Sequence, residues 1–577
     1  MVKFLSDKIL TNNFIKLLIC TVVIITFCGI FSTVLASNDA NFYAIISKNI
    51  YINNEFMNLT FNYQGWLDKP HLQFWITALS YKLFGVHVFS YILPGFIFYL
   101  LGAIYLYLFA THLFKSKEVG LLSMLIYLTS LHLMLSSIDV RQEAFLLGEI
   151  IPACYYWFLY DECKNINLKY LFLGAFFSAL ALMTKGVFLV LIIFSGIFTL
   201  WIINQTWHKF ISKKWLCAFL LVGLFTLPEL ISLYIQFDAH PEKLVFGKTH
   251  VSGIKWFFWD SQFGRFFNNG PIVNSNKNTY AHYFFFIHTL LWALIPWSIV
   301  AIFALFNTIK SLKYAKDTPE HPIRKEERKA YIYILGTIVP IFILFSATSF
   351  QLDHYTNIII PFIAILCADF LFNTLTKLSH HPLFRIQIWL SYILCILISI
   401  AVFILFHKAL FVYFIIATLG IIICFILLAG HYPLTRLVLY SIFSVCVIFV
   451  FIETINSKLY SKYDVGYMIN KYIVKQNNTY SFIDYDVNSL SLEFYTNTHH
   501  KYYRINDNKQ LTKLKKPYYL VIGAQNWSKI SNTPQFKNAT ILNTFKYIKQ
   551  EKFPQTLLNN NTKEKNLENI DLILVSE

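Results

Sequence analysis

Six short stretches of this chain set ionisable side chains beside strongly apolar runs, where desolvation selects against charge unless it is paired or used. Asp39, in "SNDANFYAIISKNIY", follows directly on the first apolar run, and "YQGWLDKPHLQFW" then brings Asp68, Lys69 and Pro70 among aromatic residues. "IDVRQEAFLLGEI" holds Asp139, Arg141 and Glu143, while "LMTKGVF", "DSQFGRFF" and "SFQLDHYTNIIIP" add Lys185, Arg265, His354 and Tyr355. Carboxylates of this kind can orient or deprotonate an acceptor. A lysine at the membrane surface can hold a lipid phosphate as a point charge. Each also has a plainer reading. Ser37, Asn38 and Asp39 are good caps for the helix that follows, Lys69 can snorkel, and Arg141 with Glu143 can close a loop as an ion pair.

The elements that carry these residues follow from composition. With 56% hydrophobic and only 14% charged residues over 577 positions, against roughly 25% charged in soluble domains, the chain is a polytopic membrane protein. Its net charge of +17 therefore has to be sorted by side of the membrane and does not point to nucleic acid. Apolar runs long enough to cross about 30 Å of hydrocarbon fall at 14–35, 89–111, 119–138, 143–160, 168–184, 186–204, 215–235, 282–306, 330–348, 355–373, 386–406, 409–429 and 433–453. That is about thirteen spans. The first has no small-residue cleavage site before Asp39 and reads as a retained anchor. An odd number puts the termini on opposite sides, and Lys3 to Lys16, Lys115 and Lys117, Lys164 and Lys169, Lys209 to Lys214, Lys310 to Lys329, Lys377 and Arg436 alternate so as to set the N-terminus in the cytoplasm. All nine cysteines precede residue 447, so the tail has no disulfide framework.

This divides the chain into a transmembrane domain, 1–454, with exported loops 36–88 and 236–281, and an exported tail, 455–577. In the first loop Asp39, Phe42, Tyr43 and Ile46 recur at helical spacing, which predicts an amphipathic helix in the membrane interface. The tail alternates "TYSFIDYDV" and "PYYLVIGA" with the helical "NSLSLEFYTN" and ends on "IDLILVS", a small α/β domain. No internal repeat is present, which weighs against a transporter or flippase, the main reading from another class. A receptor or assembly scaffold is a further one.

The order of these pieces carries a resemblance. An acid and Tyr-Ala after the first span, an acid with Lys-Pro and Trp, Val-Arg-Xaa-acid, Thr-Lys-Gly, Pro-Trp-Ser at Pro296 to Ser298 and a late Tyr-rich motif, over most of 14–375, resemble the ArnT-like and protein O-mannosyltransferase-like glycosyltransferases of the GT-C fold. The resemblance implies an α-helical polytopic GT-C protein of the bacterial inner membrane, its site and C-terminal α/β domain periplasmic. It would take a sugar from undecaprenyl phosphate. By the same resemblance Asp39 and Glu143 are the carboxylates at the reacting centre, and Lys69 and Arg265 hold the lipid phosphate with Tyr355 and Lys185. Asp68, Asp139, Arg141 and His354 support them. The implied acceptor is lipid A or a related envelope glycolipid, with exported protein or another glycan as the alternative.

Departures from the pattern are specific. Relatives usually carry Asp where Glu143 stands, which leaves Asp139 as a competitor. Asp68 stands where the aminoarabinose transferases have Glu, Gln351 replaces a common Lys, and no His precedes Arg265. A divalent metal would have to draw on His71, His354, His499 or His500, none of which pairs at a metal-binding spacing.

Overall fold

The structure, a computed structural model, describes residues 11–32, 34–35, 37–267, 284–317, 325–348, 351–378, 381–406, 433–474, 478–496, 500–549, 552 and 566–577. Its first ten helices are α1 (Asn12–Gly29), α2 (Asn38–Asn53), α3 (Leu72–Phe84), α4 (Val88–Phe114), α5 (Lys117–Leu128), α6 (Leu131–Ser136), α7 (Gln142–Glu162), α8 (Leu168–Lys185), α9 (Leu189–Ile203) and α10 (Lys213–Leu233). The chain forms two compact units. The first comprises Met1–Gly29, Trp66–Gln73 and Pro94–Phe451, and the second Ile30–Gly65, Phe74–Leu93 and Ile452–Glu577.

Among the described residues eight helices are long and apolar enough to cross a membrane, or nine with one bent pair. These eight correspond to eight of the thirteen expected runs. The others differ for local reasons. Run 143–160 is helical as α7 but carries Glu143 and Glu149, and run 186–204 is the 15-residue α9. Run 409–429 lies outside the described residues, as do 268–281 of the second expected loop. Run 119–138 breaks between α5 and α6, and run 282–306 bends by 115° between Phe285–Ala293 and Ser298–Lys313. The two breaks satisfy each other. Leu131 N–H donates to the Ile295 carbonyl at 2.9 Å, and Trp297 Nε1 donates to Thr129 Oγ1 at 2.9 Å. Irregular backbone at membrane depth needs protein partners of this kind, because hydrocarbon offers none.

Lipid supplies no hydrophobic drive between helices, so close contact depends on small residues. A Cβ at Gly148 of α7 would lie 2.5 Å from the Phe98 carbonyl oxygen of α4, and one at Gly102 2.8 Å from that of Leu147. On the other side of α7, Trp157 packs its ring 2.8 Å from where a Cβ of Gly174 would sit, and its Nε1 donates to Ser178 Oγ on α8 at 2.8 Å.

The second unit is built on a five-stranded mixed sheet in the order Tyr502–Ile505, Ser481–Tyr485, Tyr518–Gly523, Glu568–Val575 and Ala539–Tyr547. The first two neighbouring pairs are parallel and the last two antiparallel, so the tail is α/β as expected. Helix α2 belongs to this unit. Ala40, Tyr43, Ile45, Ile46, Lys48 and Ile50 are all buried, which covers more than the single apolar stripe of an interfacial helix. The expectation of a helix lying on lipid is corrected here: α2 packs inside protein. Lys48 Nζ donates to the carbonyls of Glu493, Phe494 and Thr496 at 2.9, 3.1 and 2.6 Å, satisfying the buried C-terminal end of the Leu490–Tyr495 helix.

Gly148→Val should abolish recovery of monodisperse protein in detergent, whereas Gly223→Ala, with nothing within 4 Å of the added carbon, should leave it unchanged. Burial pushes the Lys48 ammonium down from its ordinary 10.5 to about 8, with Glu493 acting in the opposite direction. The unfolded chain then binds this proton more tightly than the folded one, so stability should rise as pH climbs from about 8 towards 10.5. In Lys48→Met that rise should vanish, and stability at pH 7 should fall by ~3 kcal/mol as helix-end carbonyls lose their charged donor; thermal unfolding across this range measures both.

Candidate active site

The strap Trp66–Gln73 carries Asp68 and Lys69, 3.6 Å apart between Oδ2 and Nζ. Pro70 restricts its backbone, and the next residue is stapled to α10. Glu229 Oε2 accepts the His71 backbone N–H at 3.0 Å, and Oε1 lies 2.9 Å from His71 Nδ1. Both side chains are almost wholly buried, at 1% and 0% exposure. The strap is thereby held against α10 while Asp68 and Lys69 line a cavity of about 500 Å³.

Lys185 reaches the same cavity from the end of α8. Gly186 terminates that helix at φ +110°, a backbone conformation that strains any residue with a Cβ. Lys185 Nζ forms an ion pair with Glu143 Oε1, both side chains 3% exposed, and lies 4.3 Å above the ring of Tyr355, another lining residue. One residue earlier, Thr184 Oγ1 donates to Glu149 Oε1 at 2.8 Å, and Gln142 Nε2 donates to the Thr184 carbonyl. Helix α7 thus grips the end of α8 at two levels. The rest of the wall is mostly apolar, including Val187, Leu191, Leu233, Phe257 and Phe345.

Next to this pair stands His354, in the 3-10 helix Asp353–Ile358. Its Nε2 is 3.7 Å from Glu143 Oε1 and its Nδ1 3.0 Å from Arg141 NH1 and 3.1 Å from Asp353 Oδ1. The His132 ring, 3.9 Å away, and the His354 ring beside it hold the Asp353 carboxyl well below the usual carboxylate range.

Of the residues singled out in the sequence, Asp68, Lys69, Lys185 and Tyr355 therefore meet at one cavity. Glu143 stands behind Lys185 and is not among the lining residues. Its competitor Asp139 is 26% exposed and pairs with Arg141 at 3.4 Å. Arg265 lies on the Ser261–Phe266 helix, whose Gln262 and Phe263 line the cavity; its side chain is outside the described residues. Asp39 is in the first turn of α2 in the second unit, behind the Ser37 cap, whose Oγ accepts from Ala40 N–H at 3.2 Å. His71 and His354 are engaged by separate carboxylates, and His499 is outside the described residues. Among the described residues no group of three or more His, Cys, Asp or Glu is placed to hold a metal ion. Two residues escaped the sequence reading, Glu229 and Glu149. Each is a lone carboxylate in an apolar run, "LPELISL" and "LLGEIIP", a signal that marks function or pairing in a membrane segment.

Residues 68–231 match the family model described as dolichyl-phosphate-mannose-protein mannosyltransferase. The chain is 27% identical over 336 residues to an uncharacterised protein of Aquifex aeolicus. It is 25% identical over 337 residues to the undecaprenyl phosphate-alpha-4-amino-4-deoxy-L-arabinose arabinosyl transferase of Edwardsiella ictaluri, covering 58% of this chain and 54% of that one. The corresponding enzyme of Erwinia tasmaniensis is 24% identical over 258 residues. The matched segments span about half the length of these relatives, 58%, 43% and 54%. Crystal structures of ArnT from Cupriavidus metallidurans, apo and bound to undecaprenyl phosphate, superpose with a TM-score of 0.68 at 15% identity, covering 92% of this chain and 96% of theirs. The architecture is thus that of the GT-C membrane glycosyltransferases, as the motif order implied. The fold resembles that of the ArnT structures over most of the chain, and it includes a C-terminal sheet domain.

Lys185→Met should destabilise the protein by about 3–5 kcal/mol, since it leaves the Glu143 carboxylate buried without its cation. Adding Glu143→Leu should restore most of that loss, a coupling that thermal unfolding of the single and double variants would read directly.

Proposed function

We propose that the protein transfers a sugar from an undecaprenyl-phosphate donor to lipid A or a related envelope glycolipid, at the outer face of the bacterial inner membrane, and that the sugar is an amino sugar. The observation that carries this reading is the cavity itself, where Lys69 and Lys185 stand in a largely apolar wall whose two carboxylates, Asp68 and Glu229, are engaged by Lys69 and His71. Such a site suits an amphiphile with an anionic head and a hydrocarbon tail. The orientation follows from the lysine and arginine bias, with the N-terminus cytoplasmic and the C-terminal domain periplasmic.

In the reaction the bond between the sugar C1 and the phosphate oxygen breaks, and an acceptor oxygen bonds to C1. Negative charge grows on the departing polyprenyl phosphate, so preorganised ammonium groups at Lys69 and Lys185, with Arg265, stabilise the transition state more than the ground state. Tyr355 and Glu143 hold Lys185 in place from two sides. Asp39 takes the proton of a hydroxyl acceptor, an assistance of roughly 10²–10⁴ in rate; an anionic phosphate acceptor needs no such step. The names of the arabinosyl transferase relatives support the undecaprenyl-phosphate donor and the amino sugar; the lipid acceptor rests on the motif order. The mannosyltransferase model over 68–231 supports a second reading, transfer to exported protein.

Mass spectrometry of lipid A from cells with and without the gene tests the acceptor. The modified species should disappear in the knockout, return with the wild-type gene and stay absent with Lys69→Ala or Asp39→Asn. Lipid A unchanged by the knockout, together with glycosylation of a secreted peptide by the purified protein, would move the assignment to the second reading.

A further inference from the structure

The second unit holds a cavity of its own, about 340 Å³, within the size range of small-ligand pockets. Part of its wall is a loop held in shape from beneath. The fully buried Asp484 carboxylate accepts the backbone N–H groups of Val487, Asn488 and Ser489 at 3.0, 3.1 and 3.1 Å, and the Tyr502 hydroxyl donates to it at 2.7 Å. The loop and the helix that follows it set Asn488, Ser489 and Ser491 in the wall, with the two serine hydroxyls 3.0 Å apart and Ser489 Oγ also accepting the Leu492 N–H at 3.2 Å.

Arg504 lines the same cavity. Its NH2 is tied to Glu493 Oε2 at 3.2 Å, while its Nε is buried with no hydrogen-bond partner. A buried donor left open beside a cavity is a place for a ligand acceptor. Lys549, exposed, also lines the cavity, and no carboxylate does among the described residues. Asn38 and Phe42 of α2, Phe61 and Asn62 of a two-stranded hairpin (Thr60–Phe61 paired with Gln64–Gly65), and the Tyr547 ring complete the surroundings. Amides and hydroxyls match the hydroxyl groups of a sugar ring, aromatic faces match its C–H faces, and the two cations match an anionic substituent.

Asn38 belongs to the same helical turn as Asp39. We infer that this cavity binds an anionic pyranose, the phosphorylated or carboxylated sugar head of the acceptor, and delivers it to the turn that carries Asp39. This rests on the reading of the protein as a sugar transferase. The same head chemistry occurs on a glycolipid and on a free glycan.

The test uses the full-length protein in nanodiscs, with glucosamine 1-phosphate, glucosamine and inorganic phosphate as probes, followed by saturation-transfer NMR and titration. Glucosamine 1-phosphate should bind saturably and at least tenfold more tightly than either other probe. Lys549→Glu and Asn62→Gly should weaken it about tenfold; glycine suits Asn62, whose φ is 49°. In a transfer assay the same variants should raise the acceptor KM about tenfold and leave the donor KM unchanged. Transfer to a membrane-anchored phosphorylated disaccharide but not to the soluble one identifies the acceptor as a glycolipid, and the reverse identifies a free glycan. Equal binding by wild type and both variants, or phosphate binding as tightly as the sugar phosphate, overturns the assignment. If the sugar phosphate binds here but no polyprenyl-phosphate sugar supports transfer, the proposed function fails and the binding site stands.

Discussion

Lys185 and Glu143 are opposite charges with 3% of each side chain exposed, and much of the first unit is arranged around keeping them together. Removing one ion from water costs several kcal/mol even after relaxation, and only a well-placed partner offsets it. The pair joins the start of α7 to the end of α8, so those helices must lie close and in one register. Gly174 permits the approach by taking the Trp157 ring, and Thr184, gripped by Gln142 and Glu149, sets the register. Tyr355 then covers the ammonium with its ring, which leaves Lys185 anchored on one side and facing a cavity on the other.

The same principle recurs at the strap. Glu229 spends its carboxylate on the backbone and ring of a single residue, His71, and thereby immobilises the neighbouring Lys69. A lysine stem has several rotors and gives a phosphate little unless its backbone is held. The two lysines that define the cavity are thus supported by two carboxylates, Glu143 and Glu229, of which only Glu229 lines the cavity. In the second unit Asp484 and Lys48 act alike, one gathering loop N–H groups and the other gathering helix-end carbonyls.

Much of this was legible in the chain before folding. Charged residues stand out in an apolar background, so Asp68, Lys69, Glu143 and Lys185 could be singled out one by one. Their partnerships could not. Glu143 and Lys185 are 42 positions apart and His71 and Glu229 are 158 apart, and nothing local in either segment names the other. The break at Thr129 escaped notice because its partner, the turn at Ile295 to Trp297, satisfies it from a distant helix.

What the sequence by itself determined is the membrane class, most of the long spans, the α/β tail and the short list of side chains able to do chemistry, because hydropathy and periodicity are properties of contiguous residues. What the tertiary structure alone decided is which charges became partners and which line a cavity. It set Glu143 behind Lys185, made Glu229 a staple, and buried α2 in protein where its pattern suggested lipid. Those outcomes depend on which helices touch, and a buried charge takes its role from the group across from it.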